Sequence, residues 1–456
     1  MKLGVLILAA GQGTRMRSHL PKVLHPLAGK PLLSHVVETA QAFSPDRITV
    51  IYGHGGEQVK TALADQHLDW CEQKEQLGTG HAVIEALPHL KSDDRVLILY
   101  GDVPLISGAT LEALMARLGK SDLALLTVKL ENPSGYGRIV RDSDHRITSI
   151  VEQKDASEAE LAINEINTGI MAVSRAKLED WLARIDDNNA QQEYYLTDII
   201  ALAVEDGVEV QSVHPTSEEE VMGINDRAQL AFLERYYQRQ RAAELMAAGA
   251  SLADPARVDI RGELVVGQDV FIDCNAIFEG RVELADGVKI GPNVVIKNTR
   301  IGAGVEILPN CVIEDAEIGA GSRIGPFARV RPETKLAEQV NVGNFVEIKK
   351  STVGRGSKIN HLSYVGDSLV GHSVNIGAGT ITCNYDGANK HQTVIGDNAF
   401  IGSDSQLVAP VVIGDGATVG AGSTITRDAA PNSLTLSRAK QITVNSWHRP
   451  VKQPKK

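Results

Sequence analysis

Cysteine is scarce. Four in 456 residues, Cys71, Cys274, Cys311 and Cys383, stand far apart and form no C-x-x-C pair. That spacing argues against a disulfide framework or a zinc site and suits reduced thiols in a cytoplasmic protein. Long apolar runs are also missing, and the stretch from Leu3 to Ala10 is too short for a signal peptide, so no membrane partner is expected. Basic charge is in deficit, with 46 Lys and Arg against 57 Asp and Glu for a net charge of −11. No broad basic face is left to neutralise a phosphate backbone, and nucleic acid is not an expected partner. The deficit sits in the first half: residues 1–250 hold 24 basic and 36 acidic side chains, and the remainder 22 and 21.

Glycine is abundant, and the most telling glycines come first. An apolar run from Leu3 to Leu8 enters a turn carrying Gly11 and Gly13, then Arg15, Met16 and Pro21-Lys22. A strand feeding such a loop brings backbone N–H groups close to an anion, because glycine removes the obstructing side chain. Arg15 and Lys22 add fixed positive charge. The string departs from the dinucleotide fingerprint, having Met16 at its sixth position, and from the Walker loop, lacking Gly-Lys-Ser/Thr. An acidic half that binds a polyphosphate needs a divalent cation, so magnesium (Mg2+) is expected.

Alternating patterns organise residues 1–226. Apolar runs at Val5–Ala9, Ile48–Tyr52, Val96–Tyr100 and Leu123–Val128 predict strands. Leu32–Ala42, Gln58–Ala64 and Thr110–Leu118 read as helices. This predicts an open, mostly parallel, Rossmann-like α/β sheet with ligands at the carboxyl ends of its strands. Asp102 follows such an end and suits a magnesium ligand, with Asn225 as a partner. Gln73 and the Gln76–Gly80 segment offer amides able to read a pyrimidine edge. Arg227 to Ala248 lack Gly and Pro and predict one long helix, taken with its flank as a linker over 227–250.

Beyond Pro255 aliphatic residues recur every six positions. One register runs Val258, Leu264, Val270, Ala276, Val282, Val288 and Val294; another is offset by two from Ile260. A six-residue side predicts a triangular solenoid over 251–456 with aliphatics inside and Gly-bearing corners. The beat fails between Ile376 and Ile395, where Gly379 to Lys390 should project. After Asp428 no acidic residue remains, while Lys440, Arg449, Lys452, Lys455 and Lys456 accumulate.

Leu8–Met16, Lys22, Gln73, Gly78-Thr79, Tyr100-Gly101-Asp102, Gly135–Arg138, Glu152, Asn167–Gly169 and Asn225 together resemble the sugar-1-phosphate nucleotidyltransferases. With the solenoid, the whole chain resembles the bacterial bifunctional N-acetylglucosamine-1-phosphate uridyltransferase/glucosamine-1-phosphate acetyltransferases. The resemblance implies a hexapeptide-repeat left-handed parallel β-helix and a homotrimer with acetyltransferase sites between subunits. It implies that Gly11 and Gly13 hold the UTP phosphates, that Gln73, Gly78 and Thr79 read uracil, and that Leu8, Ala9, Ala10, Lys22, Tyr100 and Gly101 also bind the nucleotide. Gly137, Glu152 and Asn167 would hold the amino sugar, and Asp102 with Asn225 the metal. In the solenoid it makes His361 the general base. Arg331, Lys349, Tyr364 and Asn375 would bind glucosamine-1-phosphate; Ala378, Asn384, Tyr385, Ser403, Ala421 and Arg438 would contact acetyl-CoA. A nucleotidyltransferase whose solenoid only oligomerises or senses an effector, and a non-catalytic scaffold or exchange-factor subunit, are the competing readings; His361 with the Asn384-Tyr385 loop opposes the first and Lys22 with Asp102 and the glycines the second.

Overall fold

The computed structural model describes residues 2–53, 55–91 and 94–452, and the tail lysines Lys455 and Lys456 lie outside them. Two compact units divide after Tyr237. In the first, a nine-stranded sheet includes, in order across it, Gln211–Val213, Leu123–Lys129, Glu165–Ser174, Arg95–Tyr100, Leu3–Ala9, Arg47–Tyr52 and Asp69–Glu72. Leu3–Ala9 is central, parallel to both neighbours and buried on both sides, which explains its unbroken apolar run. Val5 and Ile7 face one core with Leu33 and Val36 of the helix Leu32–Gln41; Leu6 and Leu8 face another with Ala82 and Val83 of Thr79–Ala86.

The four expected strands are present, but the sheet is more mixed than expected. Glu165–Ser174 runs antiparallel to Arg95–Tyr100 and Leu123–Lys129, with its register shifted between Asn167 and Met171. Its Asn167, Thr168 and Gly169 form the irregular step inside the strand, with Gly169 at φ 85°. The long helix spans Arg227–Ala247. Its beginning belongs to the first unit, where Leu233 packs with Leu27, Leu32 and Ile224. In the second unit Gln238 accepts from Ile260 N at 2.8 Å and donates to Ile260 O at 2.9 Å.

The second unit is a left-handed parallel β-helix. Ile277 pairs with Val295, Val295 with Val312 and Val312 with Arg329, so each coil takes 17 or 18 residues. Both registers of the six-residue beat point inward, so most sides deliver two apolar residues, such as Val288 and Ile290, into a single core that extends from Val258 to Ile425. Each fully buried Val or Ile contributes roughly 1.5–3 kcal/mol.

The corners differ from expectation. Apart from Gly325, at φ 100°, glycines directly after the aliphatic anchors do not have left-handed backbone; they are small because the next coil lies against them. A Cβ on Gly319 would come 2.4 Å from the backbone carbon of Ala337. Left-handed corner residues are often not glycine: Asn275, Asn293 and Asn310 stack at one corner and hydrogen-bond to each other, at 2.9 and 3.2 Å. The expected projection is also shorter than its sequence. Ile381–Cys383 stays in the ladder, pairing with Gln406–Val408, and Thr380 and Thr382 are buried. Only the segment after Cys383 leaves the coil, closed by a bridge between Tyr385 and Lys390.

Close approach and backbone conformation therefore separate experimentally. Gly319→Ala should destabilise the solenoid by about 1–3 kcal/mol through overpacking. Gly304→Asn, at φ 66° in open space, should leave the thermal midpoint nearly unchanged.

Candidate active sites

The strand Leu3–Ala9 is followed by Ala10 and the glycine loop, and a 3₁₀ turn over Thr14–Met16 follows Gly13, whose backbone is left-handed at φ 60°. A Cβ there would lie 2.6 Å from Cβ of Lys22, so glycine serves both turn and contact. Beside the loop is a cavity of about 350 Å³. It brings together Leu8, Ala9, Ala10, Gly11, Lys22, Gln73, Gly78, Thr79, Tyr100 and Asp102, drawn from four separate stretches of chain. Gln73 is buried and donates to Gly78 O at 3.0 Å. Gln76 is spent differently from the sequence expectation: its amide donates to Ala10 O at 2.7 Å and pins the loop. Gly13, Arg15, Gly101, Gly137, Glu152, Asn167 and Asn225 are not among the residues lining this cavity.

Gly137, Glu152 and Asn167 form a neighbouring group. Asn167 N donates to Gly137 O at 2.9 Å, and a Cβ on Gly137 would meet Glu152 Oε1 at 3.2 Å. Tyr100 links the two groups. Burial first, then the charges of Asp102 and Glu152, push its phenol pKa well above the ordinary value.

Lys22 makes the decisive contact. Its ammonium donates to Asp102 Oδ2 and, at 3.0 Å, to Asn225 Oδ1. Asn225 N in turn donates to Gln229 Oε1 at 2.7 Å, and Arg227 Nε donates to Met16 O at 3.2 Å. The start of the long helix thus fixes both the amide and the end of the phosphate loop, which sequence reasoning did not foresee. Two hard oxygens from residues far apart in sequence, Asp102 and Asn225, already converge on one cation, which fits a divalent metal. Among the described residues no group of three or more His, Cys, Asp or Glu could hold one, and magnesium often takes only one or two protein ligands.

Carboxylates crowd the far side of Glu152. Burial raises the Glu152 pKa, opposed by a 3.0 Å hydrogen bond from Thr197. Burial, then Asp186, Glu152 and Asp155, pushes Asp198 up to about 6.

On the solenoid, parallel stacking builds a column. Asn344 pairs with His361; Gly379 N donates to His361 O, Asp404 N to Ala378 O and Gly422 N to Ser403 O. His361, Ala378, Ser403 and Ala421 thus occupy one edge on successive coils, and Arg438 donates to Ala421 O at 3.1 Å. His361 is exposed, with Nδ1 at 2.8 Å from Asn344 Oδ1. Arg331 and Lys349 sit at the other edge of the face carrying Tyr364, and Arg331 is ion-paired with Glu347 at 2.7 Å. Asn375 pairs with Lys358 on the His361 side of that corner. Asn384 is buried and donates to Asp367, while Tyr385 is exposed and donates to Gly387 O at 2.6 Å. Lys390 was not anticipated: contact with the Lys349 ammonium holds its pKa below the lysine range, marking two cations gathered beside Tyr364.

Comparison with known proteins agrees with this layout. Residues 5–195 match the MobA-like NTP transferase domain, 392–427 the bacterial transferase hexapeptide (six repeats), and 260–344 the GMPPB C-terminal domain. Such a pairing defines a nucleotidyltransferase-type domain joined to a hexapeptide-repeat transferase domain. The bifunctional protein GlmU of Nitrosospira multiformis is 59% identical over 100% of this chain and 99% of its own. Those of an Azoarcus species and of Ralstonia pickettii are each 58% identical, covering 98% and 99% of this chain and 99% and 100% of theirs. The chain belongs to the bifunctional GlmU family and is an enzyme with uridyltransferase and acetyltransferase activities.

The Asp198 shift fixes a sign. Its pKa is raised in the folded state, so folding bears an ionisation cost that is absent below the ordinary value near 3.8 and grows as pH rises to about 6. Asp198→Asn should raise the thermal midpoint at pH 7.5 or so and leave it unchanged near pH 4; equal gains at both would contradict the burial account.

Proposed function

We propose that the solenoid acetylates glucosamine-1-phosphate and that the α/β unit joins the product to UTP, giving UDP-N-acetylglucosamine and pyrophosphate. The observation carrying the first unit's role is Lys22 held between Asp102 and Asn225 beside the Gly11–Met16 loop. A phosphate oxygen of N-acetylglucosamine-1-phosphate attacks the α-phosphorus of UTP; the new P–O bond forms as the bond to pyrophosphate breaks. Gly11 and Gly13 present backbone N–H groups to the triphosphate, and Gln73 with Gly78 and Thr79 orients uracil. Gly137, Glu152 and Asn167 hold the sugar. Arg15 and Lys22 meet the charge that develops on the phosphates. Asp102 and Asn225 would hold magnesium, which when bound neutralises triphosphate charge. The protein's share is positioning and charge compensation, with no covalent intermediate.

In the second unit an ammonium must lose a proton before its nitrogen can attack a thioester, and neutral His361 takes it. The C–N bond forms, the C–S bond breaks, and coenzyme A leaves with a proton as the thiol. Arg331, Lys349 and Lys390 meet the sugar phosphate, with Tyr364 and Asn375 on the sugar. The column Ala378, Ser403 and Ala421, with Arg438, lies along acetyl-CoA. The exposed Tyr385 loop and the exposed His361 edge support a homotrimer with each acetyl site between subunits. Among the described residues no helix is long and apolar enough to cross a membrane; with four free cysteines, the cytoplasm is the proposed location.

The two activities separate by mutation. Asp102→Ala should reduce pyrophosphate release by about a hundredfold or more while thiol release stays within about twofold; His361→Ala should do the reverse. Loss of both activities in either variant would contradict the assignment of sites to units.

A further inference from the structure

The inference rests on His361 as the acetyl-transfer base and concerns what holds that base ready. Parallel pairing sets Asn344 against His361 on adjacent coils, and Nδ1 of the ring lies 2.8 Å from the amide Oδ1. A carboxamide oxygen only accepts, so this contact is a hydrogen bond only when Nδ1 carries the ring proton. The neutral imidazole then keeps its lone pair on Nε2, the nitrogen turned away from Asn344.

The pair stands on rigid ground. Phe345 and Leu362, the residues that follow Asn344 and His361, both have left-handed backbone, at φ 56° and 49°. That conformation is costly for bulky apolar side chains, yet it recurs at the same corner on successive coils. Phe327 repeats it one coil earlier, at φ 55°, and stacks on Phe345 with ring centroids 5.3 Å apart. The corner is thus held in one shape, and the ladder, not a loop, carries both side chains.

We propose that Asn344 is a positioning residue for acetyl transfer, fixing the tautomer and ring plane of His361 so that Nε2 meets the substrate amine. Its neutrality matters. An aspartate would orient the ring as well, but its charge would favour the imidazolium, which has no lone pair to accept the ammonium proton. The groups stacked against His361, Asn344 and Ala378, are both uncharged. Lys358 shares its strand, and Glu347, Lys349 and Tyr364 lie on the face beyond the corner. Among the described residues no carboxylate reaches ion-pair distance of His361, whereas His81, His372 and His391 each face one.

The test uses the full chain with glucosamine-1-phosphate and acetyl-CoA. Thiol release is followed from about pH 5.5 to 9 for wild type, Asn344→Ala, Asn344→Asp and His361→Gln, with the thermal midpoint of each. The His361→Gln rate should fall about a hundredfold or more. Asn344→Ala should lower kcat about tenfold with KM within about twofold, by analogy with other ligand-orienting partners. Asn344→Asp should move the acid limb of kcat/KM upward by about half a pH unit or more and recover most of the rate above it. An inactive His361→Gln beside Asn344 variants that superimpose on wild type would overturn this inference alone. An active His361→Gln would remove the base assignment, and the inference with it.

Discussion

Parallel strand pairing is the constraint on which both halves of the chain depend. Strands that run the same way end on the same edge, so their carboxyl-terminal residues gather without any long-range design. In the first unit Leu8 stands beside Ile51 on one side and Tyr100 on the other, and the phosphate loop and Asp102 leave the sheet together. In the solenoid the same geometry repeats at every coil, and residues 17 to 25 apart in sequence become vertical neighbours. One rule of backbone hydrogen bonding gives a cleft in the first case and a column in the second.

Within the cleft, charge determines the design. The first half carries the acidic surplus, yet it must receive a triphosphate. Lys22 meets this at the one place where Asp102 and Asn225 converge, and the beginning of the long helix holds that place through Gln229 and Arg227. Around the sugar the balance differs: burial first, and neighbouring carboxylates after it, raise the pKa values of Glu152 and Asp198. The solenoid site uses the opposite sign, gathering Arg331, Lys349 and Lys390 where a sugar phosphate is proposed to bind.

Local signals made much of this legible. The six-residue beat, the Gly11–Met16 string and the apolar runs of the parallel strands are short-range patterns, and each became the element it predicted. What the sequence hid is what depends on distant partners. Lys22 reads as a phosphate lysine, but its contacts with Asp102 and Asn225 span 80 and 203 positions. Strand Glu165–Ser174 was obscured because Asn-Thr-Gly has turn composition, and neighbouring strands on both sides override it. Gln76 looked available for a base until its amide was found on Ala10. In the solenoid the anchor-following glycines suggested turn conformations, whereas the coil packed against them is what excludes a side chain. Asn344 carried no signal, because only the coil register places it against His361.

The most direct measurement is one incubation of the full chain with glucosamine-1-phosphate, acetyl-CoA, UTP and magnesium, following thiol and pyrophosphate separately. Two catalytic units acting in sequence predict both products, with pyrophosphate release dependent on acetyl-CoA. No thiol from glucosamine-1-phosphate and acetyl-CoA, with pyrophosphate released only when N-acetylglucosamine-1-phosphate is supplied in their place, would leave the solenoid without catalysis and contradict the account.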